Sequence, residues 1–278
     1  MRGVILAAGR GSRLNGAASD SPKCLVEAGG ITLIERQIQV LRRAGIDEIT
    51  VVVGCQAERV RRACGPGITY VENAQYSQTN SMYSLWMARP LLYEGFVVLN
   101  CDVLFHPVLL SDLLSAQHEN ALLLAYREDG TTYGEEEMKV RVRCGRVTDM
   151  SKAMDPADAD GENLGIVKFG ARGAAALVAI MDRLIDAGGV RDWAPRAFAE
   201  FAKTHPLHAV GTRGLPWIEI DFPDDYYRAV RDVLPLIEAD RLAEAGSWDG
   251  RTERRVASER RGALLPSRRD TALFADAS

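Results

Sequence analysis

The densest concentration of chemistry in the chain is Leu6-Ala7-Ala8-Gly9-Arg10-Gly11-Ser12-Arg13-Leu14, followed by Pro22-Lys23-Cys24-Leu25. Glycines directly after a first strand leave backbone N–H groups free to converge on phosphate oxygens. Arg13 adds a forked donor suited to a polyphosphate, and Lys23 adds a compact point charge. A dinucleotide fingerprint is excluded, because Leu14 stands where the third glycine of G-x-G-x-x-G belongs. The Gly-Lys-Ser/Thr ending of a Walker loop is missing as well. Gly9-x-Gly11 alone would be a turn; Arg13 and Pro22-Lys23 beside it turn the reading toward phosphate.

Two further groups could do chemistry. Thr79-Asn80-Ser81 stands at the start of a helical pattern, where side-chain donors and acceptors could read the polar edge of a pyrimidine base. The same residues also suit an ordinary N-cap with two polar neighbours, and residue types alone leave both readings open. The carboxylates form the other group. Asp102 falls just past an apolar strand, at the carboxyl end where open α/β sheets bind ligands. Glu219 and Asp221 are two apart, so an extended backbone points them to one side. Mg²⁺ takes hard oxygen ligands, usually one or two carboxylates plus phosphate oxygens. Asp102, Glu219 and Asp221 are the candidate set, while Asp224 and Asp225 read as acids that suit a helix start. His205 and His208 flank a proline with no acid or thiol partner adjoining, which argues against a metal pair. No Ser/His/Asp set presents itself, and Cys24 is expected to face the core.

These residues must be positioned by regular elements. Gly3–Ala8 reads as a buried strand, and the stretch from Thr32 to Ala44 as an amphipathic helix stopped by Gly45. Strands are expected at Glu48–Val53, Ile68–Val71, Phe96–Leu99 and Ala121–Ala125. Helices alternate with them at Glu58–Cys64, Ser81–Ala88 and Pro107–Gln117, with Ser81 as a cap. Strands apolar throughout and separated by helices imply a parallel sheet covered on both faces. After residue 130 the pattern changes to an antiparallel hairpin around Cys144-Gly145, with Gly161–Gly165 shaping a loop. A strand at Leu164–Phe169, helices at Ala174–Ile185 and Asp192–Lys203, and a strand at Trp217–Ile220 follow. Pro223 opens a helix expected to reach about Ala243. The expectation is a doubly wound, mostly parallel α/β domain over 1–243, with a small antiparallel insertion near 130–170. From 244 to 278 the apolar periodicity fades and arginines crowd in, so a disordered tail is expected.

Composition narrows the setting. Of 278 residues, 47 % are hydrophobic and 26 % charged, which fits a globular chain. Thirty-four basic against 38 acidic residues give a net charge of −4, which argues against a nucleic-acid coat protein. No run approaches the roughly 18 apolar residues of a membrane span, and Val4–Ala8 is too short for a secretory leader. Five cysteines without a CxxC pair suit a reducing cytoplasm. Neither a nucleic-acid nor a membrane partner is expected, and the oligomeric state stays open.

The first loop and its Pro22-Lys23 resemble the sugar-nucleotidyltransferase-like superfamily of NTP transferases, whose loop has the form L-A-A-G-x-G-[ST]-R followed by P-K. The resemblance runs from Met1 to about Ala243. Asn73, Tyr76, Thr79-Asn80-Ser81 and Ser84-Leu85 resemble the N-x-x-[YF]-x-x-[TS]-N-[NS]-x-x-S-L stretch of phosphocholine and phosphonate cytidylyltransferases. The resemblance implies transfer of CMP from CTP to a small phosphorylated amino alcohol or phosphonate, with pyrophosphate released. Leu6, Ala7, Ala8, Gly9, Gly11, Ser12, Arg13 and Lys23 would then hold the triphosphate, and Thr79, Asn80 and Ser81 the base. Lys152 resembles the lysine that reaches the acceptor phosphate and the α-phosphate. Asp102, Glu219 and Asp221 occupy the positions of a Mg²⁺ site. A choline or amino-alcohol head suits an aromatic face. Trp193 is the foremost candidate for it, with Tyr83, Tyr133 and Trp217 also considered. Two rivals are a hexose-1-phosphate nucleotidyltransferase using UTP, dTTP or GTP, and a nucleotide-sensing scaffold without catalysis.

Overall fold

The computed structural model describes residues 1–11, 13–14, 21–128, 130 and 132–239, of which Met1–Ile237 form one compact unit. Ser12, the last residues of the expected final helix and the expected disordered tail lie outside the described residues. The first half contains β1 (Arg2–Ala7), a small hairpin β2 (Glu27–Ala28) and β3 (Ile31–Thr32), α1 (Leu33–Arg43) and β4 (Ile49–Val53). It continues with α2 (Ala57–Cys64), β5 (Ile68–Glu72), α3 (Ser81–Met87), β6 (Phe96–Asn100) and β7 (Val103–Phe105). Next come α4 (Pro107–Ser115), β8 (Ala121–Tyr126), β9 (Lys139–Arg143), β10 (Arg146–Ser151) and β11 (Gly161–Phe169). The remainder is α5 (Ala171–Asp186), α6 (Ala194–Thr204), β12 (His208–Gly211), β13 (Trp217–Glu219) and α7 (Pro223–Arg228).

Nine strands form one sheet in the order β5-β4-β1-β6-β11-β8-β12-β10-β9. Pairing is parallel along β5-β4-β1-β6 and again between β8 and β12, and antiparallel elsewhere in the sheet. Every antiparallel pair of this sheet includes β9, β10 or β11, so the antiparallel character is carried by strands between Lys139 and Phe169. It enters the middle of the sheet with β11, which arrives from the β9–β10 hairpin instead of a helical crossover. Strand alternation sends Val4 and Leu6 into the core on one face, and Ile5 and Ala7 into the core on the other. Both faces are covered, which is why β1 and β4 read as apolar without alternation.

Three local readings change. Gly161–Gly165 belongs to β11 itself, whose pairing with β8 is irregular between Asn163 and Val167. Gly165 takes φ +75° there, and a Cβ on it would lie 2.5 Å from Asn100 Nδ2, so only glycine lets the two strands meet. Asn80, not Ser81, caps α3, its side-chain oxygen accepting from Ser81 N at 2.8 Å. The helix begun at Pro223 passes through a wider π-type turn over Ala229–Val233 before continuing through residue 239.

Candidate active site

The cleft, of about 360 Å³, opens along the carboxyl ends of β1 and β6. Its floor begins where β1 runs out: Leu6, Ala8, Gly9 and Gly11 line it, while Ala7 is turned by the strand alternation into the opposite core. Gly11 sits at φ +69°, and a Cβ there would approach the Lys23 backbone nitrogen to 2.9 Å. Glycine at this position lets the loop close down on the short helical turn Lys23–Leu25 that carries Lys23. Cys24 in that turn is buried in the core beneath the loop.

Asp102 stands two residues past β6, in the turn before β7. Glu219 and Asp221 reach it because β13 pairs antiparallel with β7, Glu219 opposite Val103, and Ile220 N donates to the Asp102 carbonyl at 3.0 Å. Asp225 accepts from the backbone nitrogens of Asp221 and Phe222, fixing the exit of β13 at the start of α7. One oxygen from each of Asp102, Glu219 and Asp221 lies within 4.8 Å of the others. Lys23 Nζ donates to Asp102 Oδ2 at 2.8 Å and to Asp221 Oδ1. Burial alone would lower the Lys23 pKa, but Asp102 and Asp221 outweigh it and hold the ammonium above the ordinary lysine value. Burial, reinforced by the negative charges of Asp102 and Asp221, pushes Glu219 up to about 8.

Three clustered carboxylates are a hard-oxygen donor set suited to Mg²⁺. Asp102 Oδ1 is buried without a hydrogen-bond partner, an unmet acceptor of the kind a cation satisfies. With one ammonium among three carboxylates, the cluster would carry two net negative charges when fully ionised, which a divalent ion balances. The residues present therefore fit the metal.

The opposite wall carries Thr79, Asn80 and Ser81 at the start of α3. Part of their hydrogen-bonding capacity is tied into the fold. Thr79 Oγ1 accepts from Asn73 Nδ2 and donates to the Gln75 carbonyl, and Ser81 Oγ accepts from Ala194 N. Asn73 is buried and also donates to Ser84 Oγ, so one amide organises the whole segment. Lys152, just past β10, lies 5.0 Å above the Trp193 ring, and both line the cleft. Trp193 is 49 % exposed, leaving an aromatic face accessible.

Tyr83 is brought elsewhere. Its ring packs on Trp86 at 5.3 Å and does not line the cleft, because α3 turns the face of Ser81 and Ser84, three residues apart, to the cleft and Tyr83 lies off that face. Tyr133 and Trp217 do not line the cleft either. Among the lining residues to which the sequence analysis gives no role are Arg10, Tyr76, Glu136 and Asn163. Arg10 stands inside the glycine loop and packs over Tyr76 at 5.4 Å. Gly54 makes room for that tyrosine, since a Cβ on it would lie 2.8 Å from Tyr76 Cβ. Tyr76 was visible in its motif, and Arg10 through its place in the loop. Glu136, in the acidic run Glu135–Glu137, carries no local signal at all.

A glycine loop after the first strand, a lysine clamped to strand-end carboxylates and a polar helix start opposite them define an α/β domain of the nucleotidyltransferase class. Residues 3–226 match the MobA-like NTP transferase domain, and the chain belongs to that family. It is 32 % identical over 228 residues to a bifunctional IPC transferase and DIPP synthase from Rubrobacter xylanophilus, covering 80 % of this chain and 49 % of that protein. It is 33 % identical over 132 residues to a choline-phosphate cytidylyltransferase from Streptococcus pneumoniae, covering 47 % of this chain and 56 % of the relative. The chain thus spans about half the length of these two relatives. Among solved structures it resembles the CTP:phosphocholine cytidylyltransferase of Streptococcus pneumoniae, with TM-score 0.69 and 26 % identity over 84 % of this chain and 98 % of that one.

Proposed function

We propose that the chain is a Mg²⁺-dependent cytidylyltransferase that moves CMP from CTP to a small phosphorylated amino alcohol or phosphonate and releases pyrophosphate. The observation that carries the reading is Lys23 held between Asp102 and Asp221 beside the glycine loop. The names of the relatives from Streptococcus pneumoniae support CTP as the donor and a phosphorylated amino alcohol as the acceptor. An acceptor phosphate or phosphonate oxygen is already anionic at neutral pH, so it attacks the α-phosphorus without a general base. The new P–O bond forms as the bond to the β-phosphate oxygen breaks, and pyrophosphate leaves. Catalysis is then positioning and charge neutralisation.

Roles follow from placement in the cleft. Backbone N–H groups of Gly9 and Gly11, with Arg13 and Lys23, hold the triphosphate, Lys23 toward the leaving pyrophosphate. Lys152 serves the acceptor phosphate, which Arg13 also reaches from the edge of the triphosphate site. Trp193 offers its face to an ammonium head. Thr79, Asn80 and Ser81 read cytosine. Asp102, Glu219 and Asp221 would hold Mg²⁺, which supplies charge neutralisation on the transferring phosphoryl group. Tyr83 has no place in this assignment. We place the protein in the cytoplasm, supported by five unpaired thiols.

The test is pyrophosphate release with CTP, UTP, dTTP or GTP against phosphocholine, 2-aminoethylphosphonate, a polyol phosphate and glucose 1-phosphate, with and without EDTA. CTP-dependent, EDTA-sensitive transfer to a phosphate or phosphonate acceptor is the expected result. Turnover confined to a hexose 1-phosphate with another nucleotide supports the sugar-nucleotide rival. Nucleotide binding without turnover supports the scaffold.

A further inference from the structure

Across the mouth of the cleft runs a chain of charges whose one anion, Glu136, has no part in the reaction scheme. One oxygen of Glu136, Oε2, accepts from Arg13 Nη1 at 3.0 Å and from Lys152 Nζ at 3.0 Å. Arg13 comes from the loop after β1 and Lys152 from the end of β10, so this carboxylate ties the donor side of the cleft to its acceptor side. Each cation also rests on an aromatic face, Arg13 over Phe222 at 5.4 Å and Lys152 over Trp193 at 5.0 Å. The rings can keep both cations near their places when the carboxylate leaves. The Glu136 side chain is about half exposed, and hydrogen bonds from Lys152 and Arg13 hold its pKa below the ordinary glutamate value, so it stays anionic.

We propose that Glu136 is a displaceable internal counter-anion, a positioning residue that aligns Arg13 and Lys152 and competes with a phosphate or phosphonate group for them. Identifying that group as the acceptor rests on the cytidylyltransferase reading; the competition itself does not. Two cations converging on one carboxylate oxygen offer what a phosphoryl oxygen also needs, two donors at hydrogen-bond distance. An incoming phosphoryl group with nearly two negative charges repels Glu136 and takes its partners. After transfer the same phosphorus is joined to the α-phosphorus by a phosphoanhydride bridge and keeps one negative charge, so Glu136 recovers the cations more readily from product than from substrate. The competition weakens anion binding by the fraction of time the cations are free of Glu136. Two partly exposed ion pairs make that factor about three to ten.

The experiment titrates the full chain in EDTA with methylphosphonate, which has no amine, and reads tryptophan fluorescence. Glu136→Gln should bind methylphosphonate about threefold to tenfold more tightly than wild type. Glu136→Ala should move in the same direction, and the gain should vanish when Lys152→Gln is added. A merely structural role would weaken binding or leave it unchanged, and either outcome in both Glu136 variants overturns the proposal. In turnover, Glu136→Gln should lower the acceptor KM and strengthen product inhibition. If no acceptor supports turnover but the methylphosphonate gain is present, the cytidylyltransferase reading fails and the counter-anion stands.

Discussion

Replacing Lys23 by methionine isolates what the ammonium does among the three carboxylates. Its side chain is 12 % exposed, against 17 % for Asp102 and 15 % for Asp221. At the 2.8 Å separation from Asp102, one such contact is worth about 6 kcal/mol of gross Coulomb attraction at an effective dielectric near 20. Most of that is cancelled by desolvation of the charges. Removing one partner of a fully buried pair costs about 3–5 kcal/mol. Residual solvent access here, and the ease with which Glu219 takes a proton, bring the expected loss to about 2–3 kcal/mol. For a domain of this size that is a fall in melting temperature of roughly 5–10 °C in EDTA. Added Mg²⁺ should then restore Lys23→Met by more than it raises wild type, because the ion no longer competes with an ammonium for Asp102 and Asp221. Thermal melts in EDTA and across a Mg²⁺ titration measure both effects. Equal Mg²⁺ shifts in the two proteins, or an unchanged metal-free melting temperature, would refute the reasoning.

Three other outcomes are expected. Asp102→Asn should reduce turnover by about two orders of magnitude or more while preserving the circular-dichroism spectrum, as steady-state assays with CTP would register. CTP should be preferred over UTP by at least about tenfold in kcat/KM, because exchanging a donor for an acceptor leaves buried partners unpaired. Asn80→Ala should shrink that preference and also cost about 1 kcal/mol through the lost cap of α3, so competition assays belong beside melts. Burial, then Glu137, raises Glu162 from the ordinary 4.5 to about 7. Its folded-state pKa lies above the unfolded one, so its contribution to stability is complete below 4.5 and is lost as pH rises toward about 7. Glu162→Gln should flatten the stability profile across that window, measured by urea unfolding at a series of pH values.

The parts of this protein legible from sequence are those set by local chemistry. Uninterrupted apolar runs marked β1, β4, β6 and β8 because burial on both faces leaves no polar side to alternate with. Gly9, Gly11, Arg13 and Lys23 stood out by type and spacing, and Asp102 by its place at a strand end. What lies beyond local pattern was decided by tertiary pairing. The β7–β13 ladder sets Glu219 and Asp221 against Asp102 across more than a hundred residues, a register that no periodicity encodes. The rotation of α3 withdraws Tyr83 to pack on Trp86, and the pleat of β1 turns Ala7 from loop to core. Glu136 is an unremarked member of an acidic run until the fold draws Arg13 and Lys152 to its two sides. Side-chain type and short-range spacing are properties of the chain, whereas partnership between distant charges exists only once the long-range strand contacts have closed.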